Sequence, residues 1–373
     1  MSDLSQLLKS EGASIEAADD FEAINELCRE RGWSDGLPIV PPTAERVERM
    51  LAYCDRAWDE PVAAIPPRYG AATPLRLAAN AVMAGCRPEY FPLIVLAIEA
   101  MCEEPFNLYG IQTTTHLCAP LIIVNGPVAK ELGINSGHNA FGPGTQSNAA
   151  IGRAIRLVLL NIGGAIPGSG DMSTFGSPAK YTYCIAENEA ANPWEPLHVE
   201  RGFPAEASTV TVVGAECPHN INDHESLTAE GILKTIAGTI AITGSNDVFY
   251  TDKAEPLVVL SPEHAAAVAG GGYSKADAKR FFYEHARLPL GKFSKENIER
   301  RMRIMFPERL ANAGMDALVP MAQNPDDFMI IVLGGAGKHS AFIPTFGITN
   351  AVTRALKFRD GRFAQSVEAF RRG

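Results

Sequence analysis

Four short runs constrain the fold of this chain more than any other feature: "PLIIVNG" (120–126), "STVTVVGAE" (208–216), "PLVVLS" (256–261) and "FMIIVLGG" (328–335). Each is apolar, rich in β-branched residues and closed by a turn former, which is how a buried strand reads. "KYTYCIAEN" (180–188) is a fifth candidate. Helical patterns separate several of them, over 147–164, 226–242 and 274–287. Strands alternating with helices predict a mixed α/β body. No internal repeat and no low-complexity linker is evident along it.

Before about residue 104 the texture is helical. "DDFEAINELCRERG" starts behind Asp19 and Asp20 and stops at Gly32, and "AERVERMLAYC" follows Thr43 as its cap. "TPLRLAANAVMAGC" opens with Thr73 as cap and Pro74 in the first turn. "RPEYFPLIVLAIEAMCEE" starts at Pro88 or just after Pro92 and is apolar almost all round, so this helical pair is expected to be buried. The expected organisation is a mainly helical region over 1–104 joined to an α/β catalytic body over 105–373.

A hydrophobic content of 46% with 20% charged residues is that of a folded globular chain, and a net charge of -10 speaks against a nucleic-acid surface. "MSDLSQLLKSEG" has neither a basic nor a long apolar segment, so no signal peptide is expected. The longest apolar run is broken by Pro92 and Glu99 and is too short to span a bilayer. Seven cysteines without a C-x-x-C pair read as reduced thiols, which points to the cytoplasm.

Glycine-rich turns mark three places where a ligand can approach. "GHNAFGPG" (137–144) sets His138 among Gly137, Gly142 and Gly144, ahead of a helix bearing Arg153 and Arg156. Amides at such a helix start can hold a carboxylate or phosphate, or simply form a turn and cap. "NIGGAIPGSGDMSTFGSPAKY" (161–181) surrounds Asp171 and Ser173 with glycines, as a ligand contact or a surface loop. "GGAGKHSAFIP" (334–344) presents Lys338, His339 and Ser340 at a strand end. It is not a phosphate-binding P-loop, because Val332 stands where that spacing requires glycine and His339 where it requires Ser or Thr. No G-x-G-x-x-G leads from a strand into a helix, which argues against a nicotinamide or flavin cofactor.

Two histidine–cysteine pairings follow. "THLCAP" sets His116 two residues before Cys118, and "AECPHNINDH" sets Cys217 two before His219, with Asp223 and His224 beyond. Residues i and i+2 of a strand share a face, so either pair places imidazole beside thiol and favours the nucleophilic thiolate. Cys217, His219 and His224, with or without Asp223, are alternatively metal ligands, although the spacing matches no standard zinc pattern. A structural loop after a strand is the third reading.

"YCIAENEAANPWEPLH" (183–198) concentrates the most ionisable chemistry. Glu187 and Glu189 alternate at a strand end, so their carboxylates face alike and one pKa rises unless a cation intervenes. Lys180, His198 and Arg201 are the cations nearest in sequence, and Pro193 and Pro196 stiffen the intervening loop. Glu187 then reads as a general acid or base with His198 as partner, or as half of a structural ion pair with Arg201. Cys184 reads as a core residue.

"WSDGLPIVPPT", "NAVMAGCRPEYFP", "GSPAKYTYCIAENEAANPWEPLHVERGF" and "GGAGKHSAFIP" together resemble a bacterial family associated with the UGSC (seleno)protein group, over about residues 33–344. No reaction is assigned to that family. The resemblance implies an enzyme or enzyme subunit, working beside a separate redox partner. This chain departs from the group in having no Cys/Sec-Gly-Ser-Cys run, so a redox role for its own thiols is not implied.

The function expected from these readings is a cytoplasmic enzyme, a lyase or hydrolase. It performs acid-base or thiol-assisted elimination, hydration or hydrolysis on a small polar anion. Glu187, Glu189 or His198 moves protons, Cys217 with His219, or Cys118, supplies the nucleophile or a second proton donor, and Arg201 or Lys338 holds the anion. His138, Asp171, Ser173, His339 and Ser340 line the pocket. No cofactor is expected, with a metal ion on Cys217, His219 and His224 as the alternative and pyridoxal phosphate left open. The expected partners are the substrate and further copies of the chain. A non-catalytic or redox-partnered subunit is the rival class.

Overall fold

The computed structural model describes residues 15, 17, 19–249 and 253–372. Residues 1–14, on which the expectation of no signal peptide rests, lie outside that set. The strands are β1 (Ala63–Ile65), β2 (Gly70–Ala72), β3 (Ala119–Asn125), β4 (Cys184–Ala186), β5 (Thr209–Ala215), β6 (His219–Asn222), β7 (Leu257–Leu260), β8 (Arg287–Pro289), β9 (Leu318–Pro320), β10 (Met329–Val332), β11 (His339–Ile343) and β12 (Val352–Ala355). The fold is mixed α/β, as the alternation of patterns predicts.

Two four-stranded sheets form the centre, in the orders β4-β3-β5-β12 and β10-β7-β11-β6. Both orders begin with a parallel pair, β3–β4 or β7–β10, and continue with two antiparallel neighbours. The architecture therefore repeats where the sequence shows no repeat. The fourth strands are exchanged: β5 runs on into β6 of the second sheet, and β11 runs on towards β12 of the first. Where the two crossings meet they bond to each other, Glu216 N–H to Pro344 O at 2.9 Å and Phe346 N–H to Gly214 O at 2.8 Å.

Period-two alternation gives each sheet two apolar faces. Leu121, Ile123, Ile185 and Val213 of the first sheet pack with Val259, Met329, Ile331 and Ile343 of the second. Ile122, Val124, Val210 and Val212 face instead a helical layer that includes Pro74–Met83, Phe91–Met101 and Gln146–Asn161. Val258, Leu260, Ile330 and Phe342 face helices Ala229–Ile240, Pro262–Gly270 and Lys275–His285. The result is a four-layer helix–sheet–sheet–helix stack. Each such buried side chain contributes about 1.5–3 kcal/mol of transfer free energy, and a strand covered on both faces reads as a continuous apolar run.

Asp20 and Thr73 cap their helices through Ala23 N–H (2.7 Å) and Arg76 N–H (3.4 Å). Thr43 precedes helix Ala44–Leu51 but makes no side-chain cap bond. The helices before residue 104 share one continuous core with β3, β5 and β12, so packing does not break at that position. Among the described residues no helix is long and apolar enough to cross a membrane.

Candidate functional site

A cavity of about 950 Å³ opens at the amino end of β3 and the carboxyl end of β5. Its floor comes from helix Gln146–Asn161 and its flank from the glycine-rich loop 163–181. That loop is tied to the segment ahead of β3: Thr174 N–H donates to Thr115 O at 3.0 Å and Ser177 Oγ to Leu117 O at 3.2 Å. Gly170 is required there, because a Cβ would lie 2.1 Å from Gly164 O.

Three charges meet at the floor. Lys180 Nζ stands 2.8 Å from both Asp171 carboxylate oxygens, and Arg156 Nη2 stands 3.4 Å from Oδ2. All three line the cavity, yet Asp171 is only 6% exposed. Burial lowers the pKa of Arg156 and the Asp171 carboxylate pulls it back up, so the guanidinium stays charged. Arg153 is already neutralised by a bidentate pair to Asp35, with both contacts at 2.8 Å. Two cations on one carboxylate leave one net positive charge in a low-dielectric recess of an otherwise acidic protein. Arg153 and Arg156 sit well inside their helix, so they lie away from the glycine turn at the helix start. Ser173 lines the same cavity, its N–H bonded to Asp171 Oδ1 at 3.1 Å.

Cys217 is the one cysteine in that lining and is half-buried. Cys118 is a correction: it is 1% exposed, faces the helical layer, and burial pushes its thiol up to about 12. Such a thiol is no nucleophile at neutral pH. Nor does His116 pair with it, since His116 Nε2 lies 2.6 Å from Glu216 Oε1. His219 is exposed on β6, where its register partner is Phe342 of the outward face, so it does not stand beside Cys217 in the cavity. Alternation fails as a guide because Cys217 precedes the strand.

Glu187 lies in a buried hydrogen-bond network away from the large cavity. It is 4% exposed and accepts from Asn125 Nδ2 (2.7 Å), Leu197 N–H (2.8 Å) and Asn192 Nδ2 (2.8 Å). Glu189 meets it at Asn125, which also donates to Glu189 Oε1 at 2.9 Å. The two carboxylates converge because a shared amide gathers them, not through strand alternation: β4 ends at Ala186 and Glu189 begins a 3-10 turn. Burial raises the Glu187 pKa, opposed first by the charge of Lys275. Lys275 is itself 2% exposed, bonded to Glu195 O at 2.9 Å and paired with Glu200 at 2.7 Å. Arg201 pairs with Glu255 at 3.0 Å rather than with Glu187, and His198 is wholly buried, 3.9 Å from Glu189. Trp194 Nε1 donates to Tyr273 O at 3.1 Å, and Asn188 N–H to Val332 O at 2.8 Å. The stretch is a strap that fastens the first sheet to the second sheet and its helices. Glu187, Glu189, His198 and Arg201 are not among the residues lining the large cavity.

His339 lines a separate cavity of about 280 Å³ with Gly137, Asn139 and Asn220. His339 Nε2 lies 3.1 Å from His224 Nε2, and Lys338 Nζ donates to His224 O at 3.0 Å. Ser340 alternates to the opposite face, where its Oγ meets His264 Nδ1 at 2.7 Å and accepts from Ser261 N–H at 3.1 Å. Its hydroxyl therefore ties β11 to helix Pro262–Gly270 instead of facing a ligand. His138 is exposed beside Gly335, where a Cβ would come within 2.2 Å of the ring.

The alternative ligand set of Cys217, His219 and His224 is not brought together: they face the large cavity, the outer side of β6 and His339 respectively. Among the described residues no three His, Cys, Asp or Glu side chains gather into a group that could hold a metal ion.

Fold and site together define a four-layer α/β protein with an open cavity in which Arg156 and Lys180 meet Asp171 and whose wall includes a thiol. The chain matches no protein-family model, no curated protein and no solved structure.

Proposed function

We propose that the chain is an enzyme that binds an anion in the large cavity and carries out acid-base or thiol-assisted elimination, hydration or hydrolysis on it. The supporting observation is the convergence of Arg156 and Lys180 on Asp171 in the cavity to which Cys217 belongs. Lys180 and Arg156 hold the anion, Asp171 fixes both cations in place, and Cys217 supplies the nucleophile or a proton. Preset charges of this kind stabilise charge that develops during reaction. Seven free cysteines support a reducing compartment such as the cytoplasm, and further copies of the chain remain the proposed partners.

The test is consumption of metabolites from a cell extract, followed by untargeted mass spectrometry. Wild-type protein is expected to deplete at least one anion. Cys217→Ser should abolish that depletion, and Lys180→Met should weaken it at least tenfold through loss of a charge-assisted contact. Lys180→Met leaves Arg156 and Asp171 as a neutral pair, so no buried charge is stranded. Depletion at the wild-type rate by both variants would place the chemistry elsewhere.

A further inference from the structure

The cavity also constrains which anion enters, and this inference rests on the anion-site reading above. Only one positive charge is left over at the floor, from Lys180 and Arg156 against Asp171. Most of the remaining wall area is apolar, from Leu117, Leu160, Pro167, Phe175, Pro178 and Tyr181, with Ser34, Asp35, Ser173 and Ser177 as its polar members. Phe175 is 79% exposed and Tyr181 52% exposed, so both rings retain much of their surface free to cover a ligand. A volume of about 950 Å³ far exceeds what acetate or phosphate fills, and sits at the upper end of ordinary small-molecule sites.

We propose that the substrate is an amphiphilic monoanion: a single carboxylate on an aromatic or branched aliphatic body. The carboxylate sits at Lys180 and Arg156, and the apolar body lies along Leu160 and Pro167 under Phe175 and Tyr181. A polyanion such as citrate brings more charge than the floor neutralises, and desolvating the excess opposes binding. The substrate class is thus less polar than the sequence alone suggests.

Calorimetric titration of the full chain with acetate, benzoate, phenylacetate, citrate and glycerol phosphate tests this. Benzoate or phenylacetate is expected to bind at least tenfold more tightly than acetate and citrate, since burying a ring removes apolar area that acetate lacks. Lys180→Met should weaken both aromatic acids at least tenfold. Phe175→Ala, at an exposed rim position, should weaken the aromatic acids and leave acetate unchanged. Citrate or glycerol phosphate binding as tightly as the aromatic acids, with Lys180→Met still weakening them, overturns the substrate class but keeps the anion site. Binding of none of the five anions, or binding indifferent to Lys180→Met, overturns both.

Discussion

Glu187→Ala is expected to destabilise the protein by roughly 3 kcal/mol while leaving Cys217 and the large cavity unchanged. The substitution strands Leu197 N–H and the Asn192 amide inside the strap, and removes a negative charge that faces buried Lys275. Each unsatisfied buried group costs about 1–3 kcal/mol. Glu187→Gln keeps an acceptor for Asn125 and Leu197 and is expected to cost nearer to 1 kcal/mol, the single misplaced contact being Asn192. Urea unfolding of the two variants measures the difference. Wild-type stability in Glu187→Ala together with lost turnover would return Glu187 to a proton-transfer role.

Asp247 is expected to make stability depend on pH. It is wholly buried and accepts from Thr345 Oγ1 at 2.8 Å and Ser245 Oγ at 2.9 Å. Burial nevertheless pushes it from 3.8 up to about 7, with Glu216 adding to the rise. Between those values the folded chain keeps a proton that the unfolded chain has released. Stability from this group is therefore complete below about 3.8, falls as pH rises towards about 7, and is level above it. The slope is about 1.4 kcal/mol per pH unit in mid-interval and flattens near 7, or roughly 2 kcal/mol in all between pH 5 and 7. Asp247→Asn cannot ionise, so the stability difference between wild type and variant should move in favour of the variant by that amount over the interval. A difference that stays constant from pH 5 to 8 would show that Asp247 is already ionised when folded.

Strands β3, β5, β7 and β10 are legible in the sequence because burial on both faces makes their residues uniformly apolar. β6 and β12 are edge strands with polar residues such as Asn220, Asn222 and Arg354, and nothing local separates them from loops. The duplicated strand order is hidden for a related reason: the exchange of fourth strands places the matching elements in different sequence contexts. At the site, Asp171, Ser173 and Cys217 are readable as chemistry in turns. Their partners are not, because helix Gln146–Asn161 delivers Arg156 from its interior and a turn of Pro178–Lys180 delivers the lysine. The strap misleads for the opposite reason. Its cations nearest in sequence, Lys180 and Arg201, are committed to Asp171 and Glu255, while the one that acts on Glu187 is Lys275.

Alkylation of Cys217 by iodoacetate and by iodoacetamide, followed by peptide mass spectrometry, tests most directly whether the large cavity is an anion site with a thiol in its wall. The two reagents differ mainly in charge. Cys217 is expected to react first among the seven cysteines, with an iodoacetate-to-iodoacetamide rate ratio several-fold above that of a free model thiol. Lys180→Met should bring the ratio back towards that of the model thiol. A ratio equal to the model thiol's and unmoved by Lys180→Met, or a Cys217 that resists both reagents, would contradict the account.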